Sequence, residues 1–94
     1  MPGYTYIVTN RYRTVLYTGV TAEINTRNYR HSTGNGSTFA SNYNCTDLVW
    51  YEYHLRIEDA IAREKQIKNW KREWKLALIR SVNPEMKTLD PLVD

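Results

Sequence analysis

Five side chains in this sequence, Tyr6, Tyr17, Arg27, His31 and Glu64, have the chemistry for metal-assisted hydrolysis of a phosphodiester. A carboxylate holds the metal, a guanidinium steadies the charge that develops on phosphorus, and an imidazole or a phenol handles protons. Tyr17, Arg27 and His31 fall inside one stretch, Leu16 to His31, reading LYTGVTAEINTRNYRH.

Glu64 is the most informative of the five on physical grounds. The segment from Arg56 onward has Ile57, Ala60, Ile61 and Ile67 at helical spacing. At about 100° per residue, Glu64 points within about 20° of Ile57, in the middle of that apolar stripe. A carboxylate in such a place takes up a cation, a metal or a proton, because burying it unpaired is costly. Pairing with an arginine of the same chain is the structural alternative. Magnesium keeps several of its waters, so one protein carboxylate and a substrate phosphate suffice to hold it.

Arg27 and His31 are four residues apart and share a helical face with Ile24, so both can point toward a sheet. Arginine grips phosphate bidentately, and histidine can shuttle a proton. Arg30 beside them reads as a phosphate contact. Tyr6 and Tyr17 sit in strand-like runs, where tyrosine is usually core filling. A phenol becomes a base only when nearby cations or a metal lower its pKa from about 10. Gly19 within its strand signals a bulge or a close approach of backbone.

The elements that must position these groups are legible in outline. Tyr4 to Thr9 and Val15 to Val20 read as strands joined by the polar turn Asn10–Arg13, an antiparallel hairpin. Thr21 is placed to cap a helix from Ala22 to Ser32. Thr33 to Asn44 is a loop rich in Gly, Ser and Asn, with Phe39 and Tyr43 to dock it. Leu48 to Tyr53 is a third strand. Two helices follow, one from Arg56 and one over Glu73 to Ser81, the second ended by Asn83-Pro84. Trp70 and Trp74 are expected to pack between these helices, and the tail from Glu85 to drape over the surface. The fold class is therefore α/β in the α+β sense: a small three-stranded antiparallel sheet flanked by helices, in the order ββαβαα.

With 94 residues, one small domain covering 1–94 is expected. The formal charge is +3, but it is unevenly placed. Ile61 to Arg80 carries seven basic residues against Glu64 and Glu73, a net +5 that leaves −2 for the rest. Such a concentration attracts phosphate backbones through counterion release. Lys65, Lys68, Lys71 and Arg72 are the candidate nucleic-acid contacts. Cys45 is the only cysteine, which excludes an intrachain disulfide and a cysteine zinc cage. It and His54 read as structural. The first residues, MPGYTYIV, lack the pattern of a secretory signal, and no stretch is apolar enough to span a membrane. A cytoplasmic protein is expected.

In their order these residues resemble the GIY-YIG nuclease superfamily, and the resemblance covers almost the whole chain. Tyr4-Thr5-Tyr6 stands where the family has GIY, and Tyr17-Thr18-Gly19 where it has YIG. Arg27 and His31 follow at the family's spacing, and Ala60 to Lys68 (AIAREKQIK) is similar to the helix with its metal-binding glutamate, at Glu64. The ending Ala77-Leu78-Ile79 with Asn83-Pro84 is similar to the small single-domain bacterial branch, which resembles the N-terminal nuclease module of the excision-repair protein UvrC.

The resemblance implies a metal-dependent endonuclease that hydrolyses DNA, structure-selective or weakly specific, in repair or processing. It implies one Mg²⁺ or Mn²⁺ on Glu64, water activated by a tyrosine, with Tyr6 first, and Arg27 steadying the phosphorane-like charge. Tyr17 and His31 would orient water and phosphate. The sequence departs from the pattern at Tyr4, Thr18 and Thr26, the last where many members have a second basic residue. Ala40-Ser41-Asn42 is also less basic than usual. Larger members append a DNA-binding domain. Without one, specificity falls to a partner protein or stays low. RNA is an alternative substrate, and a non-catalytic nucleic-acid-binding module using the basic helices is the alternative function.

Overall fold

The computed structural model describes residues 1–24 and 44–90. Three strands form one antiparallel sheet. β1 (Gly3–Thr9) lies at its centre, flanked by β2 (Leu16–Thr21) and β3 (Asp47–His54). β1 is made of β-branched and aromatic residues, which suit a pleated surface covered on both sides. Thr5, Ile7, Val8 and Thr9 are fully buried and Tyr6 is 1% exposed.

The hairpin between β1 and β2 is the expected one, closed by the turn at Asn10–Arg13. The Asn10 side-chain oxygen accepts from the N–H groups of Thr14 (2.8 Å) and Val15 (3.1 Å), and the Arg13 N–H donates to the Asn10 carbonyl at 3.0 Å. Across the hairpin Tyr6 faces Gly19 and Val8 faces Tyr17, so both motif tyrosines point to one side of the sheet.

β1 and β3 slip by one residue between Ile7 and Val8. Ile7 pairs with Trp50 and Val8 with Leu48. Val49 is thus the extra residue of a bulge. The bulge lets consecutive residues Val49 and Trp50 join the same apolar cluster, with Ile7, Ile67, Ile79 and Met86. The opposite cluster holds Tyr6, Val8, Cys45 and Leu48, against which Tyr17, Ile24 and Tyr51 pack.

Two helices follow the sheet, α1 (Ile57–Lys68) and α2 (Arg72–Val82). Glu58 and Asp59 lie in the first turn of α1 and Lys65 and Lys68 in its last, as the helix dipole favours. Arg56 offers no side-chain cap; the Ile57 N–H instead donates to the Met1 carbonyl at 2.8 Å. Ile57 sits so close over the sheet that a Cβ on Gly3 would lie 2.8 Å from its Cγ1, which explains glycine at the start of β1.

Ala60 and Ile67 are fully buried, and the Thr5 hydroxyl donates to the Ala60 carbonyl at 2.8 Å. Ile61, expected in the same stripe, is 39% exposed. With Ala60 seated directly on β1, the contact line runs through 57, 60, 64 and 67, and Ile61 is turned about 80° from the middle of it. Burial of Ile67 and of Ile79 from α2 stabilises the sandwich by about 1.5–3 kcal/mol each.

Other sequence expectations are modified. Ala22, Glu23 and Ile24 are not helical. The Thr21 hydroxyl accepts from the Glu23 N–H (3.3 Å) and donates to the Glu23 carbonyl (2.9 Å), closing a local turn where a helix start was expected. The rest of that expected helix, and the following loop up to residue 43, lies outside the described residues. Trp70 packs against the Ile7 cluster as expected, but Trp74 is 51% exposed.

The tail does more than drape. Asn83, 7% exposed, donates from its amide to the carbonyls of Val49 (2.9 Å) and Lys87 (2.8 Å), and its oxygen accepts from the Lys87 N–H at 3.0 Å. The Leu89 N–H donates to the Leu48 carbonyl at 2.7 Å. Arg13 completes the clasp through Asp47 (2.5 Å), the Met86 carbonyl (3.0 Å) and the Thr88 hydroxyl (2.9 Å).

Candidate active site

Tyr6 is held by steric fit. A Cβ built on Gly19 would lie 2.5 Å from the Tyr6 hydroxyl oxygen and 2.6 Å from its Cζ, so the phenol rests directly on the glycine backbone of β2. The glycine is required for that approach rather than for its backbone angles, since no glycine has positive φ among the described residues. A rigid ring that is 1% exposed has no direction in which to yield.

Tyr17 precedes Gly19 by two residues on the same face of β2. It is half-buried and packs against the cluster that contains Tyr6. The ammonium of Lys68 lies 5.7 Å from the centroid of its ring, within the range of a cation–π contact.

Glu64 stands on the contact line of α1 between Ala60 and Ile67, and its side chain is 20% exposed. Its Oε2 is 3.4 Å from Lys68 Nζ, one helical turn on. The cation that meets the anomalous carboxylate is thus a lysine, where the sequence suggested an arginine. A pair of this kind on a helix contributes only about 0.3–0.5 kcal/mol, so it leaves the carboxylate available to a stronger cation. Spacing could have revealed it, because Glu followed four residues later by Lys is a favoured helical pair.

Lys68 therefore links Glu64 on α1 to Tyr17 on the edge strand β2, and Gly19 links β2 to Tyr6. The contacts thus run from Glu64 through Lys68 to Tyr17, while Tyr6 belongs to the core cluster on the face of the sheet away from Ala60 and Ile67. Lys65 on α1, Lys71 at the N-cap of α2 and Arg72 in its first turn are exposed. Arg27, Arg30 and His31 lie outside the described residues.

Cys45 and His54 behave as structural residues. Cys45 is fully buried, and that burial pushes its thiol pKa up, which keeps it protonated and unreactive. His54 Nε2 lies 2.9 Å from Glu52 Oε1, but off the direction of a hydrogen bond. The same carboxylate oxygen accepts from Arg63 Nε at 3.1 Å.

Among the described residues no three His, Cys, Asp or Glu side chains gather to form an all-protein metal cage. A single accessible carboxylate is instead the donor set that suits a hard ion retaining most of its waters. No helix among the described residues is long and apolar enough to cross a membrane.

This sheet, with a glutamate helix packed across it and paired tyrosines on one face, is that of a known class. The sequence pattern of the GIY-YIG catalytic domain matches residues 2–77, and the chain belongs to the GIY-YIG family, an endonuclease superfamily. It is similar to a UPF0213 protein of Staphylococcus epidermidis, 32% identical over 65 residues that cover 69% of this chain and 79% of that one. A UPF0213 protein of Staphylococcus aureus is 34% identical over the same coverage. The solution NMR structure of the UPF0213 protein BH0048 from Bacillus halodurans shares the fold, with a TM-score of 0.59 at 24% identity, covering 94% of this chain and 93% of that one.

Proposed function

We propose that this chain is a metal-dependent endonuclease that hydrolyses DNA phosphodiester bonds, structure-selective or weakly specific, in repair or processing of DNA. The observation that carries the reading is Glu64: a carboxylate on the buried line of α1, 20% exposed, and paired among the described residues with Lys68 at 3.4 Å.

Glu64 would hold Mg²⁺ or Mn²⁺ through its carboxylate oxygens. A bound ion would supply Lewis-acid polarisation of the phosphate and neutralise charge on the leaving oxygen. Lys68 keeps Glu64 neutralised in the absence of substrate and has the reach to meet a phosphate oxygen. The exposures of the two phenols favour Tyr17 over Tyr6 for activating the attacking water, because a base must touch the water it deprotonates. Tyr6, 1% exposed, then supports the strand that carries Tyr17. Arg27 and His31 are assigned to the transition-state charge and to proton handling on the strength of family spacing. Arg30, Lys65, Lys71 and Arg72 are assigned to the phosphate backbone. A cytoplasmic setting suits the lone reduced thiol of Cys45.

The test is cleavage of nicked, branched and single-stranded DNA, with RNA in parallel, by purified protein with Mg²⁺, Mn²⁺ or a chelator. Metal-dependent cleavage that Glu64→Ala reduces by roughly 10³-fold is expected. Equal cleavage by Glu64→Ala, or cleavage in chelator, would contradict the assignment. A second reading, a non-catalytic nucleic-acid-binding module, draws on the exposed basic residues of α1 and α2. Salt-sensitive binding unchanged by Glu64→Ala, with no cleavage of any substrate, would favour it.

A further inference from the structure

Trp74 is a large aromatic side chain that the fold does not use. It lies in the first turn of α2 and is 51% exposed, while that helix is anchored by buried Ile79 with Leu76 and Leu78 packed beside it. Trp70, four residues earlier in the link between α1 and α2, is the residue that reaches the core. The two indoles meet edge to face, with centroids 6.4 Å apart at 79°, so Trp70 props Trp74, which stays half exposed.

Cations flank both rings. Lys71 Nζ lies 5.8 Å from the Trp74 centroid, and the Arg63 guanidinium lies 5.3 Å from that of Trp70. Arg63 is fixed there by Glu52 (3.1 Å) and Gln66 (2.7 Å). A propped, exposed aromatic ring set among cations is the combination that binds unpaired nucleobases: the ring stacks on the base and the cations track the phosphates. A duplex keeps its bases stacked on one another and presents no such face.

We propose that Trp74 is a stacking platform for an unpaired base, and that the corner between α1 and α2 thereby directs this chain to nucleic acid containing a single-stranded segment. The charge of the surface selects this occupant, since the segment from Ile61 to Arg80 carries a net +5 that suits a polyanion. The proposal rests on the reading of the chain as a protein that acts on nucleic acid, and gives that reading a substrate class. Trp74 follows Glu64 by ten positions along the chain, with Lys68 and Lys71 between them to carry the backbone from one to the other.

The experiment titrates oligothymidylate, and a duplex of equal length, into Glu64→Gln protein without divalent ion, following tryptophan fluorescence and anisotropy of a labelled strand. Stacking predicts quenching by the single strand. Trp74→Ala should lose most of that quenching and roughly tenfold in single-strand affinity, with duplex affinity and salt dependence unchanged. Trp74→Phe should keep most of the affinity, which separates stacking from a folding defect. Unchanged single-strand affinity in Trp74→Ala would overturn the proposal, as would equal losses for single strand and duplex. So would sedimentation showing that Trp74 is covered by a second copy of the chain. Metal-dependent cleavage that persists while Trp74→Ala leaves single-strand preference intact would remove this inference alone. Failure of all cleavage with normal stacking would remove the nuclease reading alone.

Discussion

The tail clasp and the α1–β2 edge use the same kinds of polar side chain to opposite ends. In the clasp, Asn83 spends its amide and its oxygen on three backbone partners, and Arg13 reaches a carboxylate, a carbonyl and a hydroxyl. At the edge, Glu64 meets Lys68 at 3.4 Å, and Lys68 shares itself with the ring of Tyr17. One region satisfies its polar groups with the chain itself and so fixes the fold. In the other, the described partner of Glu64 is a lysine at 3.4 Å on the same rigid helix, a pair that a ligand can replace. The difference separates residues whose loss should unfold the protein from those whose loss should only silence it.

The largest stability effect should come from breaking the clasp. Asn83→Ala strands the carbonyl of Val49 at the bulge and loosens the turn at Lys87, at a cost of about 2–4 kcal/mol in a urea titration. A cost below about 0.5 kcal/mol would show that the tail does not support β3. Gly19→Ala should follow, at about 1–3 kcal/mol, because the new methyl meets the Tyr6 phenol with no room to yield. The double variant with Tyr6→Phe, which removes the hydroxyl oxygen nearest the new methyl, should recover part of that loss. No recovery would contradict the fit. Lys68→Gln is the smallest, expected within about 0.5 kcal/mol of the parent in stability. Its effect should appear instead as a weaker salt dependence of DNA binding, read by anisotropy across a salt series.

The same division explains what the sequence disclosed. The strands were legible because YTYIVT, VLYTGV and LVWYEY are dense in β-branched and aromatic residues, and the helices because of apolar spacing. Glu64 was legible because a carboxylate broke that spacing. The bulge at Val49 was not, since Leu48-Val49-Trp50 is apolar whichever residue is extra. Nor was the role of Asn83, whose partner carbonyl lies 34 residues away and depends on that bulge. The exposure of Ile61 is not legible, because periodicity gives the direction of a stripe but not its width, which Ala60 seated on β1 makes narrow. The relative burial of Tyr6 and Tyr17 was also out of reach, because strand alternation puts both on one face and says nothing of the centre against the edge.

The central claim is that Glu64 serves the reaction and not the fold. Its most direct test measures one preparation of Glu64→Gln twice, by urea denaturation and by cleavage of branched and single-stranded DNA with Mg²⁺ or Mn²⁺. The account predicts stability within about 0.5 kcal/mol of the parent and cleavage reduced by roughly 10³-fold. Cleavage at the parent's rate, or activity lost only in proportion to lost folding, would contradict it.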